Sequence, residues 1–285
     1  MKLQTTFGLW LAGLLSAGVA LAEPVAMVTD VSDGVFTVVK DKSEKVALLS
    51  YFEPGTMLRL NANAHLTATF LTKPVEYRFT GPAKLTVEKD RIVASEGKAE
   101  TQAVSLQKTS AAKKFTVAQR ESVTQAAFEM RGAGRPGLRL DDPVDTRLIG
   151  NSLVFSWDGP RSPSGYRLSL FDEQKKLIHQ TSVASNSWSP AAGLLKAGNA
   201  YEWEVESTLE NGEVLTARGK FNLADSDAAK AALAQTPPAN SSFSARVLHA
   251  IYLEENGFKY DARRLWKELS KERPDDMVAR ERSTR

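Results

Sequence analysis

The chain has 285 residues and no cysteine, with 42% hydrophobic and 25% charged residues and a formal net charge of +3. Disulfides, thiolate metal sites and thiol nucleophiles are excluded, and so small a charge, spread along the chain, argues against general nucleic-acid binding. The length allows two or three domains with ordinary hydrophobic cores.

Residues 1–22 read as a leader. Lys2 precedes an apolar middle between residues 7 and 20, and Ala20-Leu21-Ala22 stands before Glu23-Pro24. Small residues two apart ahead of a polar start mark secretory cleavage after Ala22, in preference to an uncleaved anchor. Gly8, Gly13, Ser16 and Gly18 make the run marginal as a membrane span. The mature chain is therefore expected to be periplasmic or secreted, with no span after leader removal.

Residues 23–108 carry short strand-like runs at 34–40, 45–50, 57–61, 65–72, 75–79, 84–89 and 91–97. In the run at 65–72, Leu66, Ala68 and Phe70 alternate with threonines, which predicts one buried face. Asp33-Gly34, Pro54-Gly55, Gly81-Pro82 and Lys89-Asp90 separate the runs, and the whole predicts an all-β roll or barrel. EPGTMLRL at 53–60, ATFLT at 68–72 and YRFTGPAKLTVEKDRIVASEGKAE at 77–100 resemble the periplasmic domain of the FecR family. The resemblance implies an envelope sensor that passes siderophore signals to a sigma regulator. This chain has a leader where that family has a cytoplasmic segment.

Residues 109–147 read as a linker. Lys108, Lys113, Lys114 and Arg120 are its basic run, residues 117–131 have helical spacing, and residues 132–137 (GAGRPG) end that helix. Asp141, Asp142 and Asp145 lack a calcium-loop pattern and are expected to be solvated.

Residues 148–224 predict an antiparallel sandwich. Tyr201, Trp203 and Val205 alternate with three glutamates, and Trp157, Tyr166, Leu168, Leu170 and Phe221 are candidate core partners. Asn211-Gly212 between two strand patterns is a hairpin turn. FSW, YRLSLFDEQKKL, LKAGNAYEWEV and GKFNL are similar to fibronectin type III and other immunoglobulin-like sandwiches. Trp157 and Trp203 are assigned to the core; Trp188 is the candidate surface aromatic, the one residue suggesting a cell-wall glycan ligand.

Residues 225–285 turn helical, with predicted helices at 227–235, 244–257 and 258–276 broken at Pro237-Pro238. Ala250, Gly257, Ala262, Trp266, Leu269 and Pro274 resemble a tetratricopeptide repeat. The small residues let two helices approach closely, Gly257 turns the chain, Trp266 and Leu269 fill the seam, and Pro274 stops the second helix. The resemblance implies a partner groove lined by Ser244, Val247, Ile251, Glu254 and Glu255, with the glutamates facing a basic segment. The other packing sets Val247 and Ile251 against residues 228–235, because a lone repeat needs a cap.

The fold class is thus mainly β with a C-terminal α-helical segment: a FecR-like roll, an immunoglobulin/fibronectin-like sandwich and a helical hairpin. His65, His179 and His249 fall in different domains and read as surface residues, and no nucleophile elbow, phosphate loop or dinucleotide fingerprint occurs. No catalytic residue, cofactor or metal is assigned. The expected role is a non-enzymatic scaffold or interaction protein of the cell envelope, with a protein partner. An envelope sensor of the FecR type is the second reading, and a cell-wall or polysaccharide binder the third.

Overall fold

A computed structural model describes residues 23–40, 42–73, 75–103, 137–150, 153–160 and 165–284. The leader with its cleavage site and the helix expected at 117–131 lie outside these residues. The first β module runs through β1 (Ala26–Val31), β2 (Val35–Val39), β3 (Lys42–Lys45), β4 (Tyr51–Phe52), β5 (Met57–Leu60), β6 (His65–Phe70), β7 (Val75–Val87) and β8 (Ile92–Ala103). They form one curled sheet in the order β3-β2-β5-β7-β6-β1-β4, with β8 also on β7.

The curl is made by β7. Residues 76–80 pair with β6, and residues 83–86 pair with β5. Gly81-Pro82, a turn signal in the sequence, here lies inside one continuous strand, where the register with β8 shifts. A Cβ on Gly81 would lie 1.9 Å from the Asn61 carbonyl oxygen, so only glycine lets the two segments approach. Leu58, Leu60, Leu66, Phe70, Phe79 and Leu85 fill the concave side. The strand expected at 45–50 is not formed. Leu49 takes φ +62, and Val46 and Leu48 are buried from a loop.

The second module begins at residue 137, inside the expected linker. It contains β9 (Arg139–Asp142), β10 (Thr146–Leu148), β11 (Phe155–Asp158), β12 (Tyr166–Asp172), β13 (Leu177–Val183), β14 (Ser187–Trp188), β15 (Ala200–Thr208) and β16 (Val214–Leu223). A five-stranded sheet, β10-β16-β15-β12-β13, faces a three-stranded one, β14-β11-β9. Trp157 and Trp203 are core, as expected, at 1% and 0% exposure. Phe155 meets Trp203 and Phe221 edge-on at 4.9 and 5.5 Å, the arrangement aromatic quadrupoles favour. The indole of Trp203 donates to the Pro143 carbonyl at 2.8 Å, tying the β9–β10 turn into the core. The glutamates of β15 pair across strands, Glu206 with Arg167 and Glu204, itself only 8% exposed, with Arg218. The Arg167 hydrogen bond holds the Glu206 carboxyl below its ordinary range. The hairpin at Asn211-Gly212 forms as expected, with Gly212 at φ +83.

Four helices follow: α1 (Ser226–Ala234), α2 (Phe243–Glu255), α3 (Lys259–Glu272) and α4 (Met277–Thr284). Asp225, Ser242 and Asp276 cap α1, α2 and α4 by accepting from backbone N–H groups three residues on. Gly257, at φ +80, turns the chain between α2 and α3. Ala250, Ala262, Trp266 and Leu269 are all at 1% exposure or less, so the seam positions read from the sequence are filled as expected. The charged tail after Asp276 is a fourth helix, α4, anchored by buried Ala279.

Candidate functional site: a cleft at the helical seam

The helical end touches both β modules, and it does so with different chemistry on each side. Against the second module the contacts are largely to backbone. Arg147 N–H donates to the Gly257 carbonyl at 2.8 Å, and Val154 N–H donates to the Tyr260 hydroxyl at 3.2 Å. Tyr260 N–H donates to the Thr146 hydroxyl at 3.1 Å, and Ile149 N–H to the Asp261 carboxylate at 3.3 Å. The Arg263 guanidinium pairs with Asp142, both largely buried. Asp142 was expected in a solvated linker and is instead 8% exposed, because β9 belongs to the sandwich. Burial pushes the carboxyls of Asp142 and Asp261 up, and Arg263 opposes the shift at Asp142.

Against the first module, α2 lies on the convex face of β1 and β6. The threonine face of β6 is therefore buried as well as its apolar face, Thr67 to 7% and Thr69 to 2% exposure. The Ser244 hydroxyl meets Thr29 Oγ1 at 2.8 Å and donates to the Glu76 carboxylate, which also accepts from Arg78 Nε at 2.7 Å. Met27, Leu48 and Leu71 of the first module join Phe243, Val247 and Ile251 in one apolar cluster. Burial pushes the nearby Tyr51 phenol up to about 12.

At the rim of this seam opens a cleft of about 500 Å³, lined by both units. Its floor is charged and internally paired. Arg273 Nη2 lies 3.4 Å from both carboxylate oxygens of Asp30, and His65 Nε2 lies 3.3 Å from one of them. The same guanidinium stacks 5.0 Å over the Phe243 ring. At the mouth, Lys45 Nζ pairs with Asp33 at 2.7 Å, which raises the Lys45 pKa, the field of Asp276 adding to it. Val46, Leu48, Phe243 and Val278 supply apolar wall. Paired charges and apolar surface of this kind fit recognition of a ligand or chain segment. Among the described residues, no three His, Asp or Glu side chains converge as a metal site.

No protein-family model matches the chain, and no curated protein matches it. Two solved structures show partial likeness. CopC from Methylosinus trichosporium OB3b has 13% identity and a TM-score of 0.27, over 32% of this chain and 96% of that one. The BSP domain of a biofilm associated protein has 12% identity and a TM-score of 0.21, over 72% of this chain and 29% of that one. At these scores neither brings a ligand or a partner to this chain.

The residues assigned to a partner groove separate in the structure. Ser244, Val247 and Ile251 are at 2%, 0% and 1% exposure, covered by this chain's own first module. An open groove at these three is corrected: the repeat finds its cap in β1 and β6, which no local spacing could reveal. Glu254 accepts from Trp266 Nε1 at 2.8 Å and from Arg282 Nη1 at 2.5 Å, tying α2 to α3 and α4. Glu255 is exposed and acts on the Tyr51 phenol. Trp188 is half-buried, its ring stacked on His179 at 5.1 Å and tilted against Phe155 at 5.3 Å. His65 and His179 are half-buried, and His249, expected on the surface, is 8% exposed with its pKa lowered by burial. Sequence reading missed Asp30, Asp33 and Arg273 as a group; the two aspartates flank the end of β1 and Arg273 comes 243 residues after Asp30, with no motif joining them. No helix among the described residues is long and apolar enough to cross a membrane.

Proposed function

We propose that this chain is a non-catalytic interaction protein of the cell envelope whose binding site is the cleft between the first β module and the helical end. The carrying observation is the composition of that cleft, in which residues from β1, the β3–β4 loop, β6 and the α3–α4 turn meet although they lie far apart in sequence. The charges on its floor are committed to one another, so they hold shape and supply a polar surface. The leader at residues 1–22 supports a periplasmic or secreted location. The FecR-like spacing of the first module, the fibronectin-like alternation of the second and the repeat-like α2–α3 pair support an assembly of binding modules. The partner is proposed to be a protein.

A photo-crosslinking residue placed at Met277, which lines the cleft and is 74% exposed, tests this in cells. The control is the same residue at Val214, 52% exposed at the start of β16. A discrete adduct from position 277 and none from position 214 supports the reading. Equal labelling from both positions, or none from either, overturns it.

A further inference from the structure

The edge strands of the three sheets are not alike. β4 and β14 are two residues long, and β10 has its outer side taken by the helical end, where the Arg147 N–H donates to the Gly257 carbonyl. β3 carries Lys42, Glu44 and Lys45, β8 carries Glu96 and Glu100, and β9 carries Arg139, Asp141 and Asp142. Such charges guard an edge, because pairing with another chain would oppose or desolvate them. β13 is different. It ends the five-stranded sheet, is seven residues long (LIHQTSV), and contains no Asp, Glu, Lys, Arg, Pro or Gly. None of its residues is buried. β12 pairs with one side of it. Among the described residues, no other backbone hydrogen bond reaches residues 177–183, so the N–H and C=O groups on the far side are left to solvent.

We infer that β13 pairs antiparallel with β13 of a second copy of this chain, joining two five-stranded sheets into one. The ladder with β12 is regular from Val183 to His179 and shifts before Leu177. A two-fold axis at Thr181 pairs all five regular residues, Thr181 with Thr181, Gln180 with Ser182 and His179 with Val183. The faces agree. His179, Thr181 and Val183 stand opposite Leu170, Leu168 and Tyr166 on the core side, and Gln180 and Ser182 stand opposite Ser169 and Arg167 on the outer side. Threonine against threonine and amide against hydroxyl are matched antiparallel neighbours, and no like charges meet. Past the ladder, the charged 173–176 turn of one copy meets the 184–187 connection of the other, Ala-Ser-Asn-Ser, which carries no charge. A two-fold contact uses each β13 once, and the other edges are short, covered or charged, so association stops at the dimer. No residue of β13 lines the cleft, and this contact does not draw on the cleft as a binding site.

Gln180 and Ser182 are exposed, so changing them tests the contact without disturbing the core. Gln180→Lys/Ser182→Lys sets like charges against each other across the axis, and Gln180→Glu/Ser182→Glu does the same with carboxylates. Sedimentation equilibrium of the native chain should show monomer and dimer and nothing larger. Each double variant should raise the dissociation constant at least about tenfold, and an equimolar mixture of the two should restore association, since opposite charges then face each other. Both variants should melt within about 2 °C of the native chain at a concentration where all are monomeric. The native chain has no cysteine, which allows a second measurement that depends on neither variant. Thr181→Cys should form a covalent dimer on mild oxidation at least about tenfold faster than Val214→Cys, because only the first brings two thiols together across the axis. A native chain that is monomeric at about 0.5 mM overturns the inference. So do a dimer that survives both double variants, growth into larger species, and equal rates of crosslinking from positions 181 and 214.

Discussion

Replacing Arg263 by methionine removes the cation from a pair whose side chains are 17% and 11% exposed. The Asp142 carboxylate is then left buried with only the field of Lys267 to offset it. Breaking one side of a buried pair costs about 3–5 kcal/mol, and the nearby lysine places the cost at the lower end. At about 2–4 °C per kcal/mol for a chain of this size, the melting temperature should fall by about 6–12 °C at neutral pH. The pH dependence distinguishes a stranded charge from lost packing. Burial already raises the Asp142 pKa above 3.8, and Arg263 opposes the rise. Without Arg263 the folded state binds this proton still more tightly than the unfolded state. A raised carboxyl pKa gives stability that is complete below the unfolded value and is lost as pH rises through the folded value. The deficit should therefore shrink as pH falls from 7.5 toward 5. The measurement is thermal unfolding of both proteins at each pH, with Asp142→Leu/Arg263→Met as a third arm expected within about 1 kcal/mol of the native chain. An equal deficit at both pH values, or a deficit under about 1 kcal/mol at neutral pH, would refute a buried charge pair at this junction.

Ile251→Ala should cost about 2–4 kcal/mol in denaturant unfolding, because the side chain is internal packing against β1 and not an open groove; a loss near zero would restore the groove. Gly81→Ala should leave little folded protein, since its Cβ would lie 1.9 Å from the Asn61 carbonyl oxygen; native-level circular dichroism and yield would contradict the close approach. His249 sits buried with its pKa lowered, so the unfolded chain gains the proton first as pH drops below 6.5. His249→Leu should flatten the loss of stability between pH 7 and pH 5, and an unchanged slope would show that the ring is hydrated.

The elements that were legible from sequence are those whose pattern is local. Alternation at Tyr201, Trp203 and Val205, and the Ala250–Gly257–Ala262–Trp266 spacing, specify a face whatever surrounds them. The missed elements have no such pattern. All four residues of β3 are exposed and polar, so nothing marks Lys42–Lys45 as a strand except its pairing with β2. The strand β9 hides in a run of aspartates because the charge partner of buried Asp142 is an arginine 121 residues later. The threonines of β6 read as solvent-facing for the same reason, since α2 covers them from far along the chain. The cleft was illegible altogether: Asp30 and Arg273 are 243 residues apart, and charge pairs across such a distance leave no periodic trace.

The Thr29–Ser244 contact also dictates an order of assembly. The two residues are 215 positions apart, so the outer face of β1 and β6 must wait for its cover until α2 has been made. Until then, Met27, Leu48 and Leu71 stand exposed on a sheet that has already closed on its concave side. The hydroxyl-rich neighbours keep that waiting face wettable, which limits its tendency to capture other nascent chains before its own helix arrives.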